Sequence, residues 1–418
     1  MKRTILILLA LSVVAPVSAK GRKADYRVTF PSRDNAVVIG DVPAWAKGAA
    51  VFCDGREIPS QLDDLDGDGR YEELVFVYEG LPDGFRGEAA GQPPVEVGFR
   101  VLYFAEERAA DYPVRVNAQM LLKNPDKSLR EVAAAESDKD DMYRRLHHHG
   151  PAFESELAAY RVYFDKKQSI DTYGKKRPGL ELRETMWYPT DEQLRAGSGH
   201  DNLRVFGSIS VGALKGWDDR RQRMVHITEM NRREARIRAA GPVRTVVDMR
   251  VEGWRYGGRE LNMTSRYILY AGHQDVQAEH RIEGECRDLL FTTGVMKIRD
   301  GFTATLRDSV LVSTGCDYPE NDSVKWERER MALVTVVPGR QIVSRTDDAA
   351  SHLVQLRPDA GADRLSLLGI LAQERVAAER GLGERSRPGF AGRLGLVSLA
   401  SAGRAAEVVR KRTFLAVR

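Results

Sequence analysis

Apolar and polar positions alternate with a period of two along most of the chain. Tyr26-Arg-Val-Thr-Phe30 alternates, Ala36 to Ile39 is apolar, and Ala50-Val-Phe-Cys53 runs into the turn Asp54-Gly55. Glu73 to Tyr78 and Val95 to Phe104 continue the pattern, and no helical period longer than a few turns interrupts it. Side chains that alternate between two faces belong to half-buried strands, so residues 20–105 read as a small all-β domain. Residues 106–145 are polar and charged and read as a linker with a helix over Lys127–Arg144.

Strand patterns then return over residues 146–360. Leu203–Val211, Val243–Val251, Leu261–Tyr270, Asp275–Ile282, Leu289–Val295, Phe302–Val312 and Arg330–Val337 alternate and are broken by Gly, Asp or Pro. So many strands with short breaks predict a mostly β protein whose second domain is a large antiparallel β-sandwich. Residues 361–418 are an atypical tail rich in Arg, Ala, Gly and Leu, with Ala372–Arg380 as a candidate helix.

The first 19 residues stand apart. Lys2-Arg3, the apolar run Thr4 to Pro16 and the small residues Val17-Ser18-Ala19 form a signal peptide over 1–19. The apolar run is too short for a membrane span. The expected product is exported, periplasmic and free of membrane insertion, and no cysteine after the cut offers a lipid anchor. A net charge of only +4 gives no reason to expect a nucleic-acid partner. Three cysteines allow one disulfide at most, with Cys286 and Cys316 as the candidate pair and buried thiols as the alternative.

The chemistry concentrates in Leu146–Lys176. This stretch holds His147, His148 and His149, the carboxylates Glu154 and Glu156, Tyr160, Tyr163 and Tyr173, Arg161, and Lys175-Lys176. A strand over Leu157–Phe164 would put Arg161 and Tyr163 on one face, and Tyr160 and Val162 on the other. No nucleophile elbow, P-loop, Rossmann fingerprint or HExxH helix is present.

This inventory suits β-elimination on a uronic acid. The reaction needs a cation to neutralise the carboxylate, a base for the proton beside it and an acid for the leaving oxygen. Arg161, Lys175 and Lys176 are candidates for the first role, His148 or His149 for the second, and Tyr160, Tyr163 or Tyr173 for the third. His200, in Gly199-His-Asp-Asn202, is a further acid–base candidate, and Trp187, Trp217 and Trp254 are candidates to stack on sugar rings. Glu154 and Glu156 raise a glycosidase alternative. Two of the adjacent histidines with His200 or Asp201 offer a zinc site of weaker spacing. Asp64, Asp66, Asp68 and Glu72 surround Gly67 and Gly69 like the first part of a calcium loop, but Val75 stands where a bidentate glutamate would complete it. Calcium there would be structural, and the elimination itself needs no cofactor.

The motifs His148-His-Gly-Pro-Ala-Phe-Glu-Ser-Glu156, Tyr160-Arg-Val-Tyr-Phe-Asp165 and Asp171-Thr-Tyr-Gly-Lys-Lys176 resemble domain-of-unknown-function family 4861. The resemblance extends over roughly residues 25 to 345 and includes the acidic loop. It implies an exported protein of polysaccharide-degrading bacteria, a large sandwich in the style of mutarotases and lyases, and an eliminating enzyme acting on acidic oligosaccharides. A non-catalytic glycan-binding protein and a mutarotase-like epimerase are the alternatives.

Overall fold

The computed structural model describes residues 21–139, 142–306, 308–319 and 322–358, with the backbone of Arg364–Gly369. The expected leader at 1–19 and the helix expected at Ala372–Arg380 lie outside the described residues. The protein is mostly β, with its strands gathered in antiparallel sheets.

Seven strands before residue 105 form two facing sheets. One orders Arg22–Phe30, Val95–Phe104, Gly48–Cys53 and Arg56–Ile58, and the other Ala36–Ile39, Glu73–Val77 and Ser60–Asp63. The inward positions of the alternating pattern meet between them, with Phe76 and Phe99 rings 4.8 Å apart. The hairpin Gly48–Ile58 turns on Asp54 (φ 48°) and Gly55 (φ 76°), the left-handed pair a two-residue turn requires. This unit docks on the next through Val75 and Val77, which pack against Val243, Val246 and Ile268. Gln61 Oε1 accepts from the backbone N–H groups of Val243 and Arg244, and the buried Arg244 pairs with Asp63 at 2.7 Å.

The larger unit is built on a nine-stranded sheet from Ala134–Ser137 through Arg232–Ala240, Arg244–Tyr256, Arg259–Tyr270 and Val276–Glu283 to Phe302–Leu306 at the far edge. Two five-stranded sheets cover it. The first, called the site sheet below, orders His200–Asp201, Ile170–Gly174, Ala159–Val162, Ala152–Ser155 and Val116–Gln119. The second orders Arg223–Val225, Lys215–Asp218, Phe291–Met296, Ser351–Leu356 and Ile342–Asp347. Phe153, Tyr160, Val162 and Ile170 project from the site sheet into a core shared with Val247, Met249 and Tyr267 of the large sheet.

Several expectations change. The helix expected over Lys127–Arg144 is two short strands, Leu129–Glu131 and Ala134–Ser137, then one helical turn at Met142–Arg145. Ala134–Ser137 gains backbone pairing along Arg232–Ala240, and that tertiary pairing outweighs a modest local helix preference. Leu203–Val211 is irregular, with Phe206 (φ 44°) and Ser210 (φ 68°) in left-handed conformations. Phe302–Val312 is broken by a turn at Asp308 into Phe302–Leu306 and Val310–Asp317. The large sheet continues past the expected end at 360, because the backbone of Arg364–Gly369 lies between Val276–Glu283 and Glu329–Val336. Cys286 and Cys316 are not joined. Cys286 is buried in the core, whereas Cys316 sits half-buried in a hairpin opposite Arg330, and Cys53 is a third free thiol. No helix of the described residues is long and apolar enough to cross a membrane.

Candidate functional site

Residues directly opposite in antiparallel strands share a face, and two rows across the site sheet collect its ionisable groups. One row is Gln119, Ala152, Arg161 and Asp171, and the next is Asn117, Glu154, Ala159, Tyr173 and Asp201. This face turns away from the large sheet and is covered by the segment Glu181–Tyr188. The other face is the apolar one already described. Polar groups so buried must find partners within the protein.

Arg161 is the hub. Its Nε and Nη2 donate to Asp171 Oδ2 at 3.0 and 2.7 Å, and Nη2 also donates to Asp201 Oδ2 at 2.8 Å. Nη1 donates to the Tyr188 hydroxyl at 2.8 Å, and Nη2 to the Tyr163 hydroxyl at 3.0 Å. Tyr163 in turn donates its hydroxyl hydrogen bond to Asp171 Oδ2 at 2.6 Å. Trp187 lies beneath the guanidinium, 4.5 Å from its ring centre, and donates Nε1–H to Asp201 at 3.0 Å. Met186 (φ 53°) and Trp187 (φ 73°) are consecutive left-handed residues, a costly arrangement that presses the indole onto Arg161.

The histidines form a turn at the end of this face, not a strand. His149 is left-handed (φ 63°), and a Cβ on Gly150 would stand 1.8 Å from Val162 O, so only glycine lets the turn close against the strand. His149 Nδ1 donates to Tyr143 O at 2.8 Å, which leaves Nε2 as the bare nitrogen. Its ring stacks on Tyr143 with centres 4.2 Å apart and lies 6.1 Å from Tyr163. His147 donates Nε2–H to Met186 O and meets Tyr188 edge-on. His148 is fully buried. Gln119 Nε2 donates to both Leu182 O and His148 Nε2, which places the His148 proton on Nδ1. Burial lowers all three imidazoles, with Arg161 and Lys123 adding repulsion, so they are neutral near pH 7. Tyr143, His147, His149, Tyr163 and Tyr188 thus form a half-exposed aromatic rim around a buried Arg–Asp–Asp centre, and Tyr188 is 44% exposed.

Other sequence candidates fall elsewhere. Tyr160 is buried on the apolar face and donates to Gln274 O, so it cannot meet a substrate. Tyr173 is buried and donates to Glu181 at 3.0 Å. Glu154 and Lys175 form a buried ion pair at 2.5 Å, and Glu154 also accepts from the backbone N–H groups of Glu181 and Leu182. Glu156 pairs with Arg115 and accepts from Gly272 N. Both glutamates are therefore committed to internal partners, and the glycosidase pairing does not form. Arg161 is buried and engaged by Asp171, Asp201, Tyr163 and Tyr188, so these internal partners, not a substrate carboxylate, take up most of its donors. Lys176 is exposed. His200 stacks on Trp326 and meets Glu329 at 3.2 Å, and among the described residues the histidine turn forms no cluster of three metal-ligating groups with either His200 or Asp201. Trp187, Trp217 and Trp254 are buried and offer no sugar platform.

The family profile for a domain of unknown function, DUF4861, matches residues 38–362. The chain belongs to the DUF4861 family. No curated protein matches it. Among solved structures it is similar to a glycosyl hydrolase family 38 protein from Enterococcus faecalis (8% identity, TM-score 0.45, covering 92% of this chain and 45% of that one). It is also similar to an alpha-mannosidase from Enterococcus faecalis V583 (9% identity, TM-score 0.40, covering 84% and 41%). The chain therefore spans less than half the length of either structure.

The DUF4861 chain adds site residues that sequence reasoning passed over. Tyr188 follows Trp187 directly, and Tyr143 precedes the histidines by one turn. Asp171 lies within the motif block, and Asp201, weighed in the sequence only as a zinc ligand, is a partner of Arg161 instead. In the acidic loop, one oxygen each from Asp64, Asp66, Asp68 and Glu72 lies within 4.8 Å of the others. The same carboxylates accept from the backbone N–H groups of residues 65 and 67 to 70, which by itself accounts for the turn.

Proposed function

We propose that this DUF4861 protein cleaves or dehydrates uronic-acid-containing oligosaccharides by β-elimination, with His149 as base and Tyr188 as acid. The observation that carries this reading is the bare Nε2 of a neutral His149 on the same rim as a phenol whose oxygen is already held by Arg161. His149 Nε2 takes the proton from the carbon beside the carboxylate. The electron pair forms the C4–C5 double bond as the C4–O bond breaks, and Tyr188 gives its proton to the leaving oxygen. Burial raises Tyr188 above the usual phenol range, so it remains protonated at neutral pH. Lys123, near enough to repel the protonated forms of all three histidines, supplies positive potential for the sugar carboxylate. Tyr163 and Asp171 hold Arg161 in place. Export to the periplasm, on the leader pattern, would bring the protein to such substrates.

The test mixes purified protein with uronic-acid oligosaccharides and follows the ultraviolet band of an unsaturated uronate. A rise lost in His149→Ala and Tyr188→Phe supports elimination. Binding with no rise on any substrate overturns it in favour of a glycan-binding protein. Calcium at the acidic loop is a separate proposal with a structural role. Adding calcium to chelated protein should raise its unfolding temperature, and Asp66→Asn should remove that rise.

A further inference from the structure

Lys215 lies outside the rim, on the strand Lys215–Asp218 of the second five-stranded sheet, and its side chain is wholly buried. An ammonium carries three donors, yet this one has a single acceptor, Lys167 O at 2.7 Å. No carboxylate pairs with it among the described residues. Asp165 is the acid whose charge acts on it, and Asp165 Oδ1 accepts from the backbone N–H groups of Lys167 and Gln168.

The surroundings repeat the anomaly. Gln168, 2% exposed, has no partner at either end of its amide, and the buried Ser169 hydroxyl has none. Across the sheet Lys215 is opposite Thr292 and Thr292 opposite Gln355, so all three share a face, and Gln355 Nε2 is also unpartnered. His226 Nδ1 is unpartnered as well, while Ile227 N donates to Lys166 O of the same turn. Above them, Lys167 Nζ donates to Phe206 O in the irregular segment 203–211, and Phe206 is 61% exposed. Water would satisfy the donors but would leave the buried positive charge with only the partial offset of Asp165. A bound anion does both.

We propose that Lys215, Gln168 and Ser169 form a binding site for one compact oxyanion, which pairs directly with Lys215 where no carboxylate of the described residues does. The ammonium, hydroxyl and amide donors suit a carboxylate or an inorganic oxyanion, with segment 203–211 as the way in. The neighbouring charges are Lys166, Lys167, Asp165 and His226. Burial holds Lys215 down to about 7, so the ammonium is present for an anion at slightly acid pH.

The test titrates phosphate, sulfate, acetate and glucuronate, at constant ionic strength and pH 6.5, into the full-length protein. Thermal unfolding is followed together with NMR of ¹³Cε-labelled lysine. One anion should raise the unfolding temperature saturably and move the Lys215 titration midpoint up by about one pH unit, a tenfold preference for the charged form. Lys215→Met should abolish the thermal shift, and Ser169→Ala should weaken it. A response to phosphate or sulfate identifies a free inorganic ion. A response to acetate or glucuronate identifies an organic acid. If no anion moves the Lys215 midpoint, or if the thermal shift survives in Lys215→Met, the proposal is overturned. Should Lys215→Met not fold, Ser169→Ala and the wild-type midpoint still decide the matter.

Discussion

Tyr188 accepts a hydrogen bond from Nη1 of Arg161 at 2.8 Å, so its own proton is directed away from the guanidinium. Tyr163 accepts from the same guanidinium but spends its proton on Asp171. The two phenols are therefore not equivalent. Tyr188→Phe should lower kcat by about 10²–10⁴-fold, the usual scale for losing a general acid. Tyr163→Phe should retain more of kcat and instead lower stability by about 1 kcal/mol, the worth of a hydrogen bond. Rates on a uronate oligosaccharide beside urea unfolding separate the two. Equal losses of kcat would contradict the assignment.

His149 acts as a base only when neutral. Burial is the largest cause acting on it and lowers its pKa, with Arg161 and Lys123 pushing the same way. The acid limb of kcat/KM should therefore lie below pH 6.5, the ordinary midpoint of a histidine. Removing Lys123 as Lys123→Gln should move that limb up towards 6.5. A limb that stays in place would show that another group titrates.

Arg161 is 4% exposed and balances two carboxylates, so its value is clearest when it is removed. Arg161→Met leaves Asp171 and Asp201 buried without a cation and should cost about 3–5 kcal/mol in urea unfolding. A loss below about 1 kcal/mol would mean that water reaches the carboxylates.

The strands were largely readable because each alternates against one core. Val95–Phe104 and Ala36–Ile39 have the bounds their patterns predict. What alternation cannot carry is which face a polar row ends on. Arg161 and Tyr163 were expected on one face, and their hydrogen bond bears this out. The other partners of Arg161 come from Asp171, Asp201 and Tyr188, on three other segments. That pairing is set by strand register, which one sequence does not display. The same holds for Glu154 and Lys175, whose charges suggested substrate contact but whose positions bury them together. The histidine triplet was singled out for its chemistry, and the structure places it in a turn. Its geometry came from Gly150 and the close approach of Val162, not from strand periodicity.

Lys175 and Lys176 make a direct contrast. Lys175 donates to Glu154, Ser155 O and Gly179 O, whereas Lys176 is exposed. Lys175→Met should destabilise by about 3–5 kcal/mol because it strands a buried carboxylate. Adding Glu154→Gln should recover part of that loss. Lys176→Met should stay within about 0.5 kcal/mol. Thermal unfolding of the three variants beside wild type checks the order, and equal effects at the two lysines would undo the structural role of the pair.

Lys215 should write itself into the pH dependence of stability. Burial depresses it from an ordinary 10.5 to about 7, and Asp165 offsets only part of this. The unfolded chain thus holds one more proton than the folded chain between those two values. Below pH 7 both states are protonated and the fold bears the full cost of the buried charge. As pH rises from 7 to 10.5 the cost is relieved, by up to about 1.4 kcal/mol per pH unit and on the order of 5 kcal/mol in all. Lys215→Met should remove this slope and, in buffer free of binding anions, be more stable than wild type near pH 7. Urea unfolding of both proteins from pH 6 to 10 measures the difference directly. If the two curves run parallel, Lys215 titrates in the folded protein as an exposed lysine does, and the buried charge has been neutralised by other means.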